Sequence, residues 1–208
     1  DEDVPPPAIL ELQARLARFL CHANANETGE RAGAAADPTA AAATSPAPLC
    51  VARMSDACFG GDIPPLAANA PTAADGDGVF GWHIDADPML LPPSPWTDAY
   101  GRYPNRAPDR PRFVTALVYL PPVWEEGWGA PTRFLDTPTG DVLEVPAAPG
   151  RVCLMDQDIT HAVGAPRPAA GTRPRYSMAL KLVVHPPASG SPGGGRRVRL
   201  ASPAWGEP

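Results

Sequence analysis

The sequence has little lysine, few cysteines, few aromatic residues and no long apolar segment. Lys181 is the single lysine among 17 basic residues, and aromatic residues make up 7 % of the chain. The longest apolar runs have four or five residues, which excludes a membrane-spanning helix. The four cysteines show no CxxC spacing and are too few for a scaffold built on disulfides. A net charge of -6 argues against nucleic acid as a partner.

Proline and glycine are abundant instead. The chain of 208 residues has 30 Pro and 19 Gly, while Leu, Ile, Val and Phe together contribute fewer than one residue in five. This balance is normally associated with disorder. Arginine supplies every basic residue except one, however, so we attribute the excess of Ala, Pro, Gly and Arg partly to a GC-rich coding sequence. The length predicts one domain of ordinary size, or one domain with an ordered extension.

A helix is predicted near the start of the chain. The stretch AILELQARLARFL has apolar residues at the spacing of one helical face, namely Ile9, Leu12, Leu16, Phe19 and Leu20. Residues 23–48 and 60–78 have no period and are predicted to be loops, with a short strand at LCVARM between them. We therefore expect a helical and loop-rich N-terminal part over residues 1–78.

Short runs rich in β-branched and aromatic residues begin at Val79. Turn signals separate seven of them: VFGWHID, RFVTALVYL, TRFL, DVLEV, RVCLMD, THAV and RYSMALKLVV. No helical period interrupts the series. The pattern predicts a mainly β fold, a double-stranded β-helix (jelly roll) core over residues 79–185 with the N-terminal helix packed against it and a flexible tail at 186–208.

A Pro-rich excursion of 26 residues, ADPMLLPPSPWTDAYGRYPNRAPDRP, separates the first two runs. It is too long for a simple connection and is typical of a loop that covers a substrate. Trp96 and Tyr103 in this excursion are candidate substrate contacts. Simple surface structure is an equal alternative for the same residues.

His83 and Asp85 stand at positions i and i+2 of a predicted strand. Side chains alternate along a strand, so both project from one face and can share a metal ion. His161, after the run RVCLMD, is available as a third ligand. Two imidazoles and one carboxylate leave open positions on the metal and suit non-haem Fe(II). Asp156 and Asp158 either orient an imidazole or are ordinary turn residues.

The last run carries a candidate anion receptor. Alternation puts Arg175, Ser177 and Lys181 on one face of RYSMALKL. A guanidinium in a partly closed barrel is a bidentate receptor for a carboxylate, and Ser177 can add a hydroxyl donor. Thr115 and Tyr119 share a face of RFVTALVYL, so the phenol could reach the same carboxylate.

These residues resemble the Fe(II)- and 2-oxoglutarate-dependent dioxygenases, in particular their prolyl 4-hydroxylase-like branch. The resemblance covers about half of the chain and is carried by WHID, RFVTALVYLPPVW, GAPTRF, PGRVCLMDQDITHAV and RYSMALKL. It implies that His83, Asp85 and His161 bind Fe(II), and that Arg175 and Tyr119 bind the distal carboxylate of 2-oxoglutarate. Ser177 and Thr115 are further candidate contacts of 2-oxoglutarate. The resemblance also implies that the reaction consumes dioxygen and releases succinate. Ascorbate is the reductant that the resemblance implies.

The chain departs from the family pattern at three places. Gly129, Ala130 and Pro131 stand where the family commonly has two glycines and an acid. Lys181 stands where the hypoxia-type enzymes have a large aromatic residue; it either pairs with Asp87 or an acidic group of the substrate, or ends in solvent. Arg173 lies two residues before Arg175, so alternation puts both on the same face, and Arg173 is a rival carboxylate binder. Arg175 is preferred because the sequence RYS leads directly into the last strand.

The resemblance favours a peptide or protein substrate, hydroxylated at a prolyl residue. The alternatives are an oxygenase acting on a small molecule or on another side chain, a catalytically silent jelly roll that binds a ligand, and a cupin-like Zn(II) or Mn(II) enzyme. The last of these would leave Arg175 and Tyr119 without a role. Fold analogy does not choose among them.

Overall fold

The structure is a computed structural model. It describes residues 7–9, 11, 12, 14–16, 18, 50–53, 66–76 and 80–186, with the backbone alone for 50–53. Predictions for the loop at 23–48 and for most of the tail at 186–208 lie outside these residues. Within the described part, no helix is long and apolar enough to cross a membrane.

The strands form two antiparallel sheets, and the core is a mainly β jelly roll, as the sequence predicted. The larger sheet has the order β1-β8-β3-β6. Strand β2 also pairs with β8, along residues 177–180, whereas β1 pairs along residues 182–185. The smaller sheet has the order β5-β4-β7. The strands are β1 (Cys50–Arg53), β2 (Leu66–Asn69), β3 (Arg112–Tyr119), β4 (Thr132–Leu135), β5 (Val142–Val145), β6 (Val152–Asp156), β7 (His161–Val163) and β8 (Ser177–His185).

Two parts of the strand prediction need correction. The run VFGWHID is not a regular strand in its described part; His83 alone forms a bridge, with His161. The chain turns away after this one pair, because the amide of Asp85 bonds the carbonyl of Gln157 instead. The segment 60–78, predicted as a loop, contains strand β2. Its sequence LAAN has a weak strand propensity, and pairing with β8 decides its conformation.

The pairing of β3 with β8 organises the core. Thr115 lies opposite Lys181 and Tyr119 lies opposite Ser177, so residues of one parity from both strands share a face. The outer face is apolar and is covered by Leu16 of the N-terminal helical segment. That contact confirms the predicted packing of the helix against the core. The outer-face residues are Val114, Ala116, Val118, Leu180, Leu182 and Val184.

The inner face changes from apolar to polar along the strands. At one end, Phe113 and Val183 pack with Trp96 and Tyr103. The middle carries the polar pair of Thr115 and Lys181, and the other end carries Leu117, Ala179, Tyr119 and Ser177. Polar side chains at the buried centre of a sheet need partners, and they mark the place where a site can form.

The Pro-rich excursion contributes ordered, buried residues to the core. It contains helix α1 (Pro95–Tyr100), which begins with a capping box between Ser94 and Thr97. Trp96 is 3 % exposed and Tyr103 is 5 % exposed, and both belong to the buried cluster that contains Phe113. Burial gives these two rings a structural role in place of the predicted substrate contact.

The turn before β4 adopts an unusual backbone for its sequence. Gly129 has φ of 72° and Ala130 has φ of 57°, both in the left-handed region. Alanine is disfavoured there by about 1 kcal/mol or more. Its side chain is fully buried beside Trp124, and its amide bonds the carbonyl of Ala165 at 3.2 Å. Tertiary contacts thus hold the turn without the second glycine of the family pattern.

Candidate metal centre and anion pocket

His83 and His161 are brought together by their backbones. The amide of His83 donates to the carbonyl of His161 at 2.9 Å, and the amide of His161 donates back at 2.8 Å. Directly paired residues project on the same side of a sheet. The imidazole centroids accordingly lie 4.3 Å apart.

Asp85 completes a group of three metal-binding side chains. Its amide donates to the carbonyl of Gln157 at 2.8 Å, which turns the carboxylate toward the two imidazoles. Oδ1 of Asp85 lies 3.9 Å from Nε2 of His83 and 3.9 Å from Nε2 of His161. One ligand atom from each residue lies within 4.8 Å of the others. The group can hold a metal ion.

The hydrogen bonds of both imidazoles prepare them as ligands. Nδ1 of His83 lies 2.7 Å from the carbonyl of Gly81, and Nδ1 of His161 lies 2.9 Å from that of Ile159. A carbonyl only accepts, so Nδ1 carries the proton and the lone pair of Nε2 is free for a metal. Burial lowers the pKa of His161 below its ordinary value and favours the neutral ring. The donor set therefore fits a divalent cation.

The second carboxylate oxygen of Asp85 has two protein partners. Thr115 Oγ1 donates to Oδ2 at 2.6 Å, and the ammonium of Lys181 forms an ion pair with the same oxygen. Burial opposes ionisation of Asp85, but Lys181 and Thr115 outweigh it and hold the pKa of the carboxyl below its usual range. Asp85 is thus ionised and directed before a metal binds.

These contacts correct two predictions. Lys181 is 6 % exposed and pairs with Asp85, so it neither reaches Asp87 nor ends in solvent. Asp87 accepts from the amide of Met89 instead. The hydroxyl of Thr115, predicted as a 2-oxoglutarate contact, is engaged by Asp85 and belongs to the metal group.

Arg175 is the centre of a second polar group. Its side chain is fully buried, and Cζ lies 4.7 Å from the centroid of the Tyr119 ring. Nη1 donates to Ser177 Oγ at 3.0 Å and Nη2 donates to Thr132 Oγ1 at 2.9 Å. Tyr119 Oη and Thr132 Oγ1 share a hydrogen bond of 2.6 Å. Burial raises the pKa of Tyr119, so the phenol stays protonated.

No carboxylate of the described residues pairs with Arg175. Its Nε has no hydrogen-bond partner in the described part of the chain, although it is buried. An uncompensated guanidinium in the interior is costly, and an anion at this place would remove the cost. The group is therefore a candidate site for an anion.

Arg173, the rival, lies in a different setting. It is exposed, its Nη1 donates to the carbonyl of Ala170 at 3.2 Å, and its guanidinium stacks on Trp128 at 4.9 Å. Between the two arginines, only Arg175 is buried.

The two polar groups face the same interior. Thr115 and Tyr119 are four residues apart on β3, as Lys181 and Ser177 are on β8, so the backbone positions of the two groups differ by about 13 Å along the strands. Both groups therefore contact the inner face of the same pair of strands.

Three residues of the site were not found from the sequence. Thr132 comes from the smaller sheet and receives Arg175; only its parity with Phe134 in the run TRFL could have indicated an inward side chain. Asn69 lies on the unexpected strand β2 and accepts a hydrogen bond from Ser177. Gln157 is fully buried and holds the backbone of Asp85 in place.

The neighbouring acids do not orient the imidazoles. Asp156 pairs with Arg112 and Arg106, and Asp158 accepts from Asn105 and Arg106. Backbone carbonyls perform the orienting task instead, as described above.

Comparison with known proteins gave a similar solved structure. No family model and no curated protein matches the chain. The chain is similar to the crystal structure of a Pseudomonas putida prolyl-4-hydroxylase, with 16 % identity and a TM-score of 0.33, over 81 % of this chain and 79 % of that chain. A similarity at this level carries no argument about the site, and the assignments depend on the contacts within this chain.

Proposed function

We propose that this protein is an Fe(II)- and 2-oxoglutarate-dependent dioxygenase that hydroxylates an unactivated C–H bond, with a prolyl residue of a peptide or protein as the favoured substrate. One observation carries the proposal. A three-ligand metal group and a buried guanidinium that no described carboxylate pairs with both contact the inner face of the strand pair β3–β8. The metal group contacts this face through Thr115 and Lys181. The guanidinium contacts it through Tyr119 and Ser177.

The first part of the proposal is the metal. Nε2 of His83, Nε2 of His161 and Oδ1 of Asp85 would hold Fe(II) and leave further positions for an oxo-acid and dioxygen. When bound, Fe(II) would supply the redox chemistry, with dioxygen as the oxidant: one oxygen atom would enter succinate as 2-oxoglutarate loses carbon dioxide, and the other would enter the C–H bond of the substrate. The carbonyls of Gly81 and Ile159 keep both rings in the ligating tautomer.

The second part is the anchor for the oxo-acid. Arg175 would bind the distal carboxylate, with the phenol of Tyr119 and the hydroxyl of Ser177 as neighbouring donors. The stacking of the guanidinium on Tyr119 and its bonds to Thr132 and Ser177 fix its orientation in advance. Such fixed orientation lowers the entropy that binding must remove.

The exposed surroundings of the metal group support an apolar substrate group. The side chain of His83 is 42 % exposed, so the centre is accessible from solvent. Trp82, Ile84 and Met89 are exposed large apolar residues that flank the metal ligands in the sequence. Exposed apolar side chains on the segment that carries two of the ligands would suit contact with an apolar group such as the ring of a prolyl residue.

The test is decarboxylation of 2-oxoglutarate. Purified protein with Fe(II) and ascorbate should release succinate, and Asp85→Ala should not. Mass spectrometry of a proline-containing peptide library, after the same incubation, should show a gain of one oxygen atom in the peptides that stimulate succinate release. Absence of both uncoupled and peptide-stimulated decarboxylation would contradict the proposal and would favour a silent binding module or a cupin-like metal enzyme.

A further inference from the structure

The single lysine of the chain lies inside the metal group. Lys181 is 6 % exposed and stands directly opposite Thr115 in the pairing of β8 with β3. Its Nζ forms an ion pair with Oδ2 of Asp85 and lies 3.4 Å from Thr115 Oγ1. The register of two central strands therefore places an ammonium beside a metal-binding carboxylate.

The two oxygens of Asp85 have different surroundings. Oδ1 lies at equal distances of 3.9 Å from the two free imidazole nitrogens of His83 and His161. Oδ2 accepts from the Thr115 hydroxyl and from the Lys181 ammonium. These donors occupy the lone pairs of Oδ2, so the carboxylate presents one oxygen to the imidazoles.

The lysine also changes the charge of the centre. The carboxylate of Asp85 and the ammonium of Lys181 cancel each other, and imidazoles that bind a metal ion do so in the neutral form. A divalent ion would therefore raise the partly buried group to a net charge of about +2, against about +1 with a neutral residue at position 181. A positive charge that is only partly hydrated gains from an anionic ligand.

We propose that Lys181 is a positioning residue of the metal centre, which keeps Asp85 as a one-oxygen ligand and whose charge makes the loaded centre a receptor for anionic chelating ligands. This inference depends on the metal-binding part of the proposed function. It concerns a residue at which the chain departs from the family it resembles.

The charge argument predicts two effects of opposite sign. Removing the ammonium should tighten metal binding, because it removes a neighbouring cation and frees Oδ2 as a second ligand atom. The same change should weaken the binding of an anion to the loaded metal. A merely structural lysine would weaken both, since its loss would only disorder the centre.

Co(II) and oxalate are suitable probes. Co(II) reports its ligand environment through visible absorption, and oxalate is a bidentate anion that tests the metal centre without a peptide substrate. Metal-free wild type and Lys181→Met are titrated with Co(II), and the loaded proteins are then titrated with oxalate. We expect Lys181→Met to bind Co(II) about tenfold more tightly, with an altered spectrum, and oxalate about tenfold more weakly.

A charge-retaining variant supplies the control. Lys181→Arg should keep oxalate affinity close to that of wild type; if it matches Lys181→Met, charge is not the cause and the inference is wrong. The inference would also be overturned if Lys181→Met left the affinities for Co(II) and oxalate unchanged, or if it weakened both. Lys181→Gln, which keeps a donor for Oδ2 without charge, replaces Lys181→Met if circular dichroism shows that the latter does not fold. If wild type itself binds no Co(II), the proposed metal centre fails.

Discussion

The guanidinium of Arg175 lies on the ring of Tyr119, with 4.7 Å between Cζ and the ring centroid, in a part of the core from which solvent is excluded. Two hydroxyls, those of Ser177 and Thr132, accept from it. The pair thus joins the larger sheet to the smaller one through Thr132. Among the residues that the structure describes, the hydrogen-bond partners of this buried cation are neutral, and an anion beside it would lower the cost of its burial.

Arg175→Met should weaken 2-oxoglutarate binding without affecting the metal. Loss of a charge-assisted hydrogen-bonded pair costs about 2 kcal/mol or more, so the KM for 2-oxoglutarate should rise roughly 30-fold. Steady-state succinate release measures KM, and Co(II) titration measures metal affinity. If Arg175→Met lost as much metal affinity as a variant of a metal ligand, the assignment of Arg175 to the oxo-acid would be contradicted.

Substitution of any metal ligand should abolish metal binding. His83→Ala, Asp85→Ala and His161→Ala each remove one of three ligand atoms, and two ligands hold a divalent ion poorly. Equilibrium dialysis with Mn(II) measures the loss. Asp87→Asn is the matched control, because this carboxylate bonds the amide of Met89 and lies outside the group. Equal losses in the control would show that the three ligands are not the site.

The ion pair of Asp85 and Lys181 should be visible in the stability of the metal-free protein. Asp85→Asn leaves Lys181 buried without its partner and should lower the free energy of unfolding by about 3 kcal/mol. Asp85→Asn combined with Lys181→Met removes both charges and should lose less. Urea unfolding of metal-free wild type, Asp85→Asn, Lys181→Met and the double variant measures the three losses. A double variant that loses the sum of the single losses would show that the two residues do not interact.

The same pair predicts the direction of a pH dependence. The folded pKa of Asp85 lies below the ordinary carboxyl value of 3.8, so its ionised form stabilises the folded state above that pH. This stabilisation is lost as the pH falls through the folded pKa. The difference in unfolding free energy between wild type and the double variant should therefore shrink on acidification below about pH 4. A difference that grows on acidification would contradict the direction of the pKa shift.

Trp96→Ala should destabilise the fold rather than alter substrate binding. The ring is 3 % exposed and packs against Phe113, so its loss should lower the free energy of unfolding by about 3–5 kcal/mol. Leu90→Ala in the same excursion is 74 % exposed and should change it by less than about 0.5 kcal/mol. The opposite result would be that Trp96→Ala keeps its stability and its uncoupled succinate release but loses turnover of the peptide. That result would show that the ring contacts the substrate.

Thr132→Val should disturb the anchor without removing it. Its Oγ1 accepts from Arg175 and bonds Tyr119, so the loss of this oxygen should raise the KM for 2-oxoglutarate about fivefold, which corresponds to ~1 kcal/mol. Thr132→Ser keeps the oxygen and should behave like wild type. A Thr132→Ser variant as weak as Thr132→Val would assign the effect to packing.

Much of the fold follows from local sequence pattern. Strands β3 to β8 and the N-terminal helical segment occur where alternation or helical spacing predicted them, because burial of one face is a property of a short stretch of residues. The run VFGWHID fails as a strand for a complementary reason. One bridge to His161 is the only strand pairing that its described residues make, and pairing is not a local property.

The sequence by itself determined that His83 and Asp85 stand two residues apart and that Arg175, Ser177 and Lys181 share a parity. Tertiary structure alone decided that Lys181 pairs with Asp85 rather than with Asp87, that Thr132 receives Arg175, and that Trp96 is buried. The reason is physical. The direction of a side chain follows from the backbone period of its own strand, whereas its partner depends on strand register and on the packing of one sheet against the other.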